Sequence, residues 1–242
     1  MVVSAAARPA SAGVAGTSII QLVDVIRVFR EADVETIALR GIDLEIAPGE
    51  FVAIMGRSGS GKSTLLQLLA GSDRPTAGRV VVDGIDLSRA DEDQRASLRG
   101  AHVGIVFQSQ NLVPFLDLDE NVQLASELAG RPVDRAAGRA ILKRVGLEGR
   151  ERHRPTQLSG GEQQRAALAT VLASRAPIVL ADEITGELDS ANAALLLDLL
   201  EEIHALEAVT LVLATHDPDV AQRADRVVQL RDGRVVSDGR LT

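Results

Sequence analysis

The run Gly56-Arg57-Ser58-Gly59-Ser60-Gly61-Lys62-Ser63-Thr64 follows the pattern G-x-x-x-x-G-K-[ST]. Glycines let a backbone wrap closely enough for its N–H groups to face phosphate oxygens. A helix opening near Lys62 would aim its positive end at the same anion. Lys62 supplies a full charge for β- and γ-phosphates, and the Ser63 hydroxyl is placed to ligate Mg²⁺. A flexible Gly/Ser linker is the rival reading, and it gives no reason for a lysine at this position.

Two acids end a second apolar run, Ile178-Val179-Leu180-Ala181-Asp182-Glu183. Side chains at the carboxyl end of a parallel strand face the ligand crevice. Asp182 would there hold Mg²⁺, and Glu183 would orient an attacking water or accept its proton. His216 follows the apolar run Val209 to Thr215 in the same way and can reach a γ-phosphate. His102, His153 and His204 have no such placement and read as surface or subdomain residues.

These groups need strands to hold them. Ile19 to Ile26 reads as strand, and Leu44-Glu45-Ile46 leads into a Pro48-Gly49-Glu50 turn. Phe51 to Met55 is a continuous apolar run of buried-strand type, and Ser63 to Ala70 is helical. Arg79 to Val82 is a strand closed by the Asp83-Gly84 turn. From Asn111 to Arg154 the texture turns helical, in Asn121 to Ala129 and Arg135 to Val145. The strands Ile178 to Ala181 and Val209 to Ala214 flank a helix over Ala191 to Ala205. Alternating buried strands and helices indicate an α/β parallel sheet. Met1 to Thr17, rich in Ala, Ser, Gly and Val, reads as a disordered tail before a single domain over residues 18–242.

Composition narrows the class further. With 26 Lys+Arg against 34 Asp+Glu, the net charge of −8 opposes a phosphate-tracking nucleic-acid binder. The absence of cysteine removes disulfides, thiolate metal sites and a cysteine nucleophile. No apolar run is long enough to span a membrane.

Leu158-Ser159-Gly160-Gly161-Glu162-Gln163-Gln164-Arg165 resembles the signature motif of ABC-transporter ATP-binding subunits. The order of motifs also matches that family. The phosphate loop comes first, Gln108 occupies the Q-loop position, and the signature follows. Asp182-Glu183, Asp189 at the D-loop position and His216 at the switch position complete the series. The wording of Gln108 to Pro114, Ala214 to Asp217 and Arg231 to Arg234 is most similar to the MacB/LolD/FtsE group. The resemblance covers about Ile19 to Leu241.

It implies a P-loop NTPase (RecA-like) core with an antiparallel β subdomain and an α-helical subdomain inserted over about 109–160. It also implies that two copies sandwich two ATP molecules with Mg²⁺. Ser159, Gly160, Gly161 and Glu162 would then act in trans on the partner's nucleotide. Gln108 would ligate Mg²⁺ and link the site to the helical subdomain, with residues 109–118 receiving a membrane permease. As no segment spans a membrane, the permease is expected on another chain. The subunit is expected at the cytoplasmic face, touching membrane only through that permease.

Two departures stand out. Ile184 replaces the family's usual Pro and is expected to loosen the turn that aims Glu183, slowing the ATPase. Thr170 stands where Arg is common. A soluble ATP switch acting on nucleic acid, ribosomes or a divisome is the alternative function. It lacks the second ATPase unit, coiled coil or basic extensions that such relatives carry. A nucleotide-binding scaffold without turnover has only Ile184 in its support.

The four phenylalanines acquire roles in this frame, since the chain has no Trp or Tyr. Phe29 occupies the position of an adenine-stacking aromatic, with core packing as its alternative. Phe51 is expected in the core, Phe107 against Gln108, and Phe115 exposed towards the permease.

Overall fold

The computed structural model describes residues 18–31, 34–108 and 111–240. The expected tail, Met1 to Thr17, lies outside the described residues, as do Ser109, Gln110 and Leu241. In chain order the first elements are β1 (Ile20–Glu31), β2 (Val34–Ile46), β3 (Phe51–Met55), α1 (Lys62–Leu69), β4 (Ala77–Val82) and β5 (Ile85–Asp86). Then come α2 (Glu92–Ala101), β6 (Val103–Val106), α3 (Leu118–Leu128), α4 (Arg135–Arg144) and α5 (Gly160–Ser174). The chain closes with β7 (Ile178–Asp182), α6 (Ser190–Glu207), β8 (Thr210–Thr215), α7 (Pro218–Ala221), β9 (Arg226–Arg231) and β10 (Arg234–Arg240).

One sheet runs β2-β1-β4-β5 and is antiparallel. The other runs β10-β9-β3-β8-β7-β6, parallel from β9 to β6 with β10 antiparallel at its edge. Strands β3, β7 and β8 are legible in the sequence because strands buried on both faces are apolar throughout. Their alternation divides the core in two. Val52, Ile54, Leu180 and Val212 face α1 and the antiparallel sheet. Phe51, Ala53, Val179 and Leu211 face α5 and α6, in a core shared with Val122 of α3 and Leu142 of α4.

Most of β2 and all of β6, β9, β10 and α2 go beyond the sequence reading, whereas α5 opens at Ser159 as the signature motif implies. The first four residues of β2 are exposed, so they carry no alternation to read. His204 also differs from expectation. Its ring tilts against Phe51 at 5.7 Å between centroids, and its Nδ1 lies 2.9 Å from the Val209 carbonyl, closing the end of α6.

The sheet order fixes the chemistry. Strands β3, β8 and β7 are neighbours, with Met55 opposite Thr215 and Asp182 opposite Ala214. The phosphate loop, His216 and the two acids therefore leave the same edge, at the carboxyl ends of the strands. On β6, a Cβ at Gly104 would come within 2.5 Å of Val171 Cγ1, so α5 packs there at glycine distance. Gly104→Ala should cost about 1–3 kcal/mol in urea unfolding. Adding Val171→Ala should recover part of that loss; strictly additive losses would refute the contact.

Candidate phosphate-transfer site

The two fixed glycines of the loop are forced by sterics. A Cβ at Gly56 would meet the Leu230 carbonyl and Ser60 Oγ, each at 2.5 Å. Gly61 has φ +106°, and a Cβ there would meet the Ala38 carbonyl at 2.8 Å. That left-handed residue opens α1 and brings Lys62 into the loop's concavity.

Lys62 is only 5% exposed. Its ammonium donates to the Gly56 carbonyl at 2.9 Å and the Arg57 carbonyl at 3.3 Å, and pairs with Glu183 Oε1 at 3.0 Å. Glu183 Oε2 lies 3.4 Å from His216 Nδ1. Glu183 has φ +47°, in the left-handed region, and its N–H donates to the Ala214 carbonyl at 3.0 Å. Burial works against ionisation of Glu183, but Lys62 and then His216 outweigh it and hold the carboxyl below its usual range. Asp182 goes the other way. Burial pushes its carboxyl up, with the Glu183 charge adding to the effect, against a hydrogen bond from Ser63.

Asp182 Oδ1 is buried with no hydrogen-bond partner. A hydroxyl and an orphaned carboxylate oxygen, both hard donors, fit a divalent cation such as Mg²⁺. Met55 to Ser58, Glu183, His216 and Gln229 line a cavity of about 450 Å³. Phe29, Gln67, Phe107, Ser63 and Asp182 belong to a second, of about 300 Å³. Phe29 is half-buried and belongs to neither core, and the Arg27 guanidinium lies 4.3 Å over its ring. Asp73 anchors that guanidinium at 2.6 Å.

Of the remaining motif residues, Gln108, Gly160, Gln163 and Gln164 line a third cleft, of about 670 Å³, together with Glu187. Gln108 Nε2 donates to Glu187 Oε1 at 3.1 Å. Phe107 does not pack Gln108 as expected, being 42% exposed. Asn111 and Gln164 brace the loop instead. Asn111 exchanges hydrogen bonds with Phe107 N at 2.6 Å and Phe107 O at 2.7 Å, and Gln164 Nε2 donates to the carbonyls of Phe107 and Gln108.

Ser159 caps α5 and is exposed with Gly160. Asp189 caps α6 and takes hydrogen bonds from Asn192 N at 2.9 Å and Nδ2 at 2.7 Å. Asn192 Oδ1 abuts Gly161 and accepts from Arg165 at 3.3 Å, joining the D-loop to the signature helix. Sequence reading missed the roles of Arg27, Asn111, Gln164 and Asn192; for Arg27, Gln164 and Asn192 the fold brings in partners distant in sequence, Asp73, Phe107 and Gly161.

Ile184 does not leave its turn loose. It is 2% exposed in the core, and Gly186 N closes the turn onto the Glu183 carbonyl at 3.1 Å. Thr170 Oγ donates to the Ala167 carbonyl within α5 at 2.7 Å.

The ABC transporter family profile matches residues 39–186, more than half of the chain. The chain belongs to the ABC transporter family. It is an ABC ATPase, as the motifs indicated, with the cassette's α/β core, antiparallel sheet and inserted helices. The macrolide export ATP-binding/permease protein MacB of Hyphomonas neptunium is 47% identical over 224 residues, covering 91% of this chain and 34% of that protein. This ABC ATPase spans about a third of the length of such MacB relatives. An uncharacterized ABC transporter ATP-binding protein of Mycobacterium tuberculosis is 45% identical over 220 residues, 90% of this chain and 89% of that one. Among solved structures, the dimeric cassette MJ0796 bound to ADP and Pi has a TM-score of 0.86 at 38% identity, covering 92% of this chain and 99% of that chain. Among the described residues, no helix is long and apolar enough to cross a membrane.

The Lys62–Glu183 pair makes a pH prediction for the nucleotide-free protein. A carboxyl held below its unfolded value contributes in full above the ordinary Glu range and loses that contribution as pH falls through the lowered value. Glu183→Gln should cost about 1–2 kcal/mol in urea unfolding at pH 7. The gap from wild type should narrow as the medium is acidified; a gap independent of pH would refute the pairing.

Proposed function

We propose that residues 18–242 form one ATPase domain, with a helical subdomain over about 109–160, that binds Mg-ATP and closes as a homodimer around two nucleotides. The closure drives a membrane permease of MacB/LolD type, in export, lipoprotein release or force transmission across the envelope. The subunit works at the cytoplasmic face, without nucleic acid.

One observation carries the reading. Gly160 of the signature lines a cleft that shares no lining residue with the phosphate-loop cavity, and Ser159 and Gly160 are exposed. The N-terminus of a helix attracts anions, and a second copy related by two-fold symmetry would bring a phosphate to this one. The MJ0796 cassette is dimeric in its ADP- and Pi-bound structure, and cbiO1 of Clostridium perfringens is part of the ABC transporter complex cbiONQ. The cbiO1 chain has a TM-score of 0.79 at 30% identity, covering 92% of this chain and 88% of that one. Phe115 is 71% exposed beside Pro114 of the cleft, where an apolar ring suits a partner helix.

In this reading each side chain has a task. Phosphate oxygens take over the Lys62 ammonium and the loop amides. Glu183, released from Lys62, orients the attacking water and accepts its proton, while His216 holds its second oxygen. Ser63 and Asp182 would hold Mg²⁺, with Gln108 turning in from Glu187; when bound, the ion would supply positive charge against the phosphates. Phe29 stacks on adenine from the rim of the cavity it shares with Ser63, with Arg27 behind its ring.

Purified protein reconstituted with its permease should hydrolyse ATP only with Mg²⁺. Glu183→Gln should lower that rate about 10²–10⁴-fold; an unchanged rate would refute Glu183 as the base. Phe29→Ala should weaken ATP binding about tenfold or more with little change in Tm. A large fall in Tm with unchanged affinity would make Phe29 a packing residue.

A further inference from the structure

The cap of the signature helix is reciprocal like those of α2 and α3, where the N-cap N–H also donates to the side chain three residues on, and it differs from them in its hydroxyl. Asp91, Asp117, Asp134 and Asp189 accept from the amide three residues on at 2.8–2.9 Å. Ser159 Oγ lies 3.4 Å from the Glu162 amide. Its hydroxyl instead donates to Glu162 Oε2 at 2.8 Å, and the Ser159 N–H donates to the same oxygen at 2.9 Å. Glu162 Oε1 lies 3.3 Å from Arg150 Nε. A carboxylate thus occupies the Ser159 hydroxyl, which the proposed sandwich directs at the partner's γ-phosphate. An aspartate cap has no hydroxyl to commit, so the conflict exists only where the cap is a serine facing an acid.

We propose that Glu162 is an internal stand-in for phosphate. Its carboxylate holds the Ser159 hydroxyl and amide in the open subunit, and the partner's γ-phosphate must displace it before the two subunits close. This rests on the trans action of the signature proposed above. Two effects oppose closure: a charge-assisted hydrogen bond is given up, and a carboxylate is left beside an anion of the same sign. Arg150, already on the other oxygen, gives the displaced group a seat. After hydrolysis the carboxylate reclaims Ser159 and helps the subunits part. Glu162 is thus a positioning residue that sets the ATP concentration of closure.

The test uses Glu183→Gln protein, which holds ATP without turnover, and follows its mass by light scattering against Mg-ATP. Adding Glu162→Gln keeps an oxygen for the Ser159 amide and removes the charge. The ATP concentration for half-dimerisation should fall about tenfold, a shift of about 1.4 kcal/mol. In turnover-competent protein, Glu162→Gln should lower KM and kcat together, because closure tightens and reopening slows. A residue that only caps the helix gives the opposite sign: its loss frays the first turn, lowers Tm and raises the ATP requirement. Glu162→Ala, read alongside a Tm, should also dimerise at lower ATP than the parent. A midpoint unchanged or raised in folded Glu162→Gln protein overturns the role of Glu162 alone. A Glu183→Gln parent that never dimerises with ATP overturns the sandwich reading and this inference with it.

Discussion

Lys62 brings a full positive charge to a place with 5% exposure, and three oxygens make that tolerable: the carbonyls of Gly56 and Arg57 and the Glu183 carboxylate. Two of the three belong to the loop itself, so the loop must curl tightly, and Gly56 and Gly61 are needed where any Cβ would collide. The third arrives from another strand, so β7 must lie near β3. Strand β8 separates them by one place and delivers His216 to the far oxygen of Glu183. The ammonium thus ties loop geometry, strand order and base into one electrostatic unit.

That unit resembles its loaded form with an internal anion in place of phosphate. Glu183 occupies Lys62, and on the other functional surface Glu162 occupies Ser159. In each case a carboxylate satisfies donors that would otherwise face water or adventitious ions. In the proposed mechanism nucleotide binding is an exchange of partners that leaves Glu183 ionised and adjacent to the reacting phosphate. The opposite shifts of Asp182 and Glu183 fit this division of labour: the half-buried Asp182, with one oxygen unpaired among the described residues, suits the proposed cation, while Glu183 is kept charged.

Much of this was legible in the sequence because it is local. The phosphate loop is contiguous, and Asp182, Glu183 and His216 each terminate an apolar run that can only be a buried strand. Strands at or beside an edge are different. The start of β2, at the edge of its sheet, faces solvent, and β9, next to the edge strand β10, buries only Val228 and Leu230 between polar residues, so no apolar run marks either. Contacts made across the fold also left no local trace. Asn192 against Gly161 and Gln164 under Gln108 join residues 31 and 56 positions apart, since 192 − 161 = 31 and 164 − 108 = 56. The Phe107 ring was misplaced in part for the same reason: Gln164, far away in sequence, joins the nearby Asn111 in holding the loop, and the ring lines the cavity of Phe29 and Asp182 instead. Ile184 looked like a weakness beside the usual Pro, but hydrophobic burial anchors the turn instead.

The claim that Glu183 competes with phosphate for Lys62 can be measured directly by calorimetric binding of a non-hydrolysable ATP analogue to wild-type and Glu183→Gln protein. The account predicts about tenfold tighter binding to the variant, because no ion pair has to be released and one negative charge near the phosphates is gone. Equal or weaker binding would contradict it, and would mean that the pair does not oppose nucleotide entry.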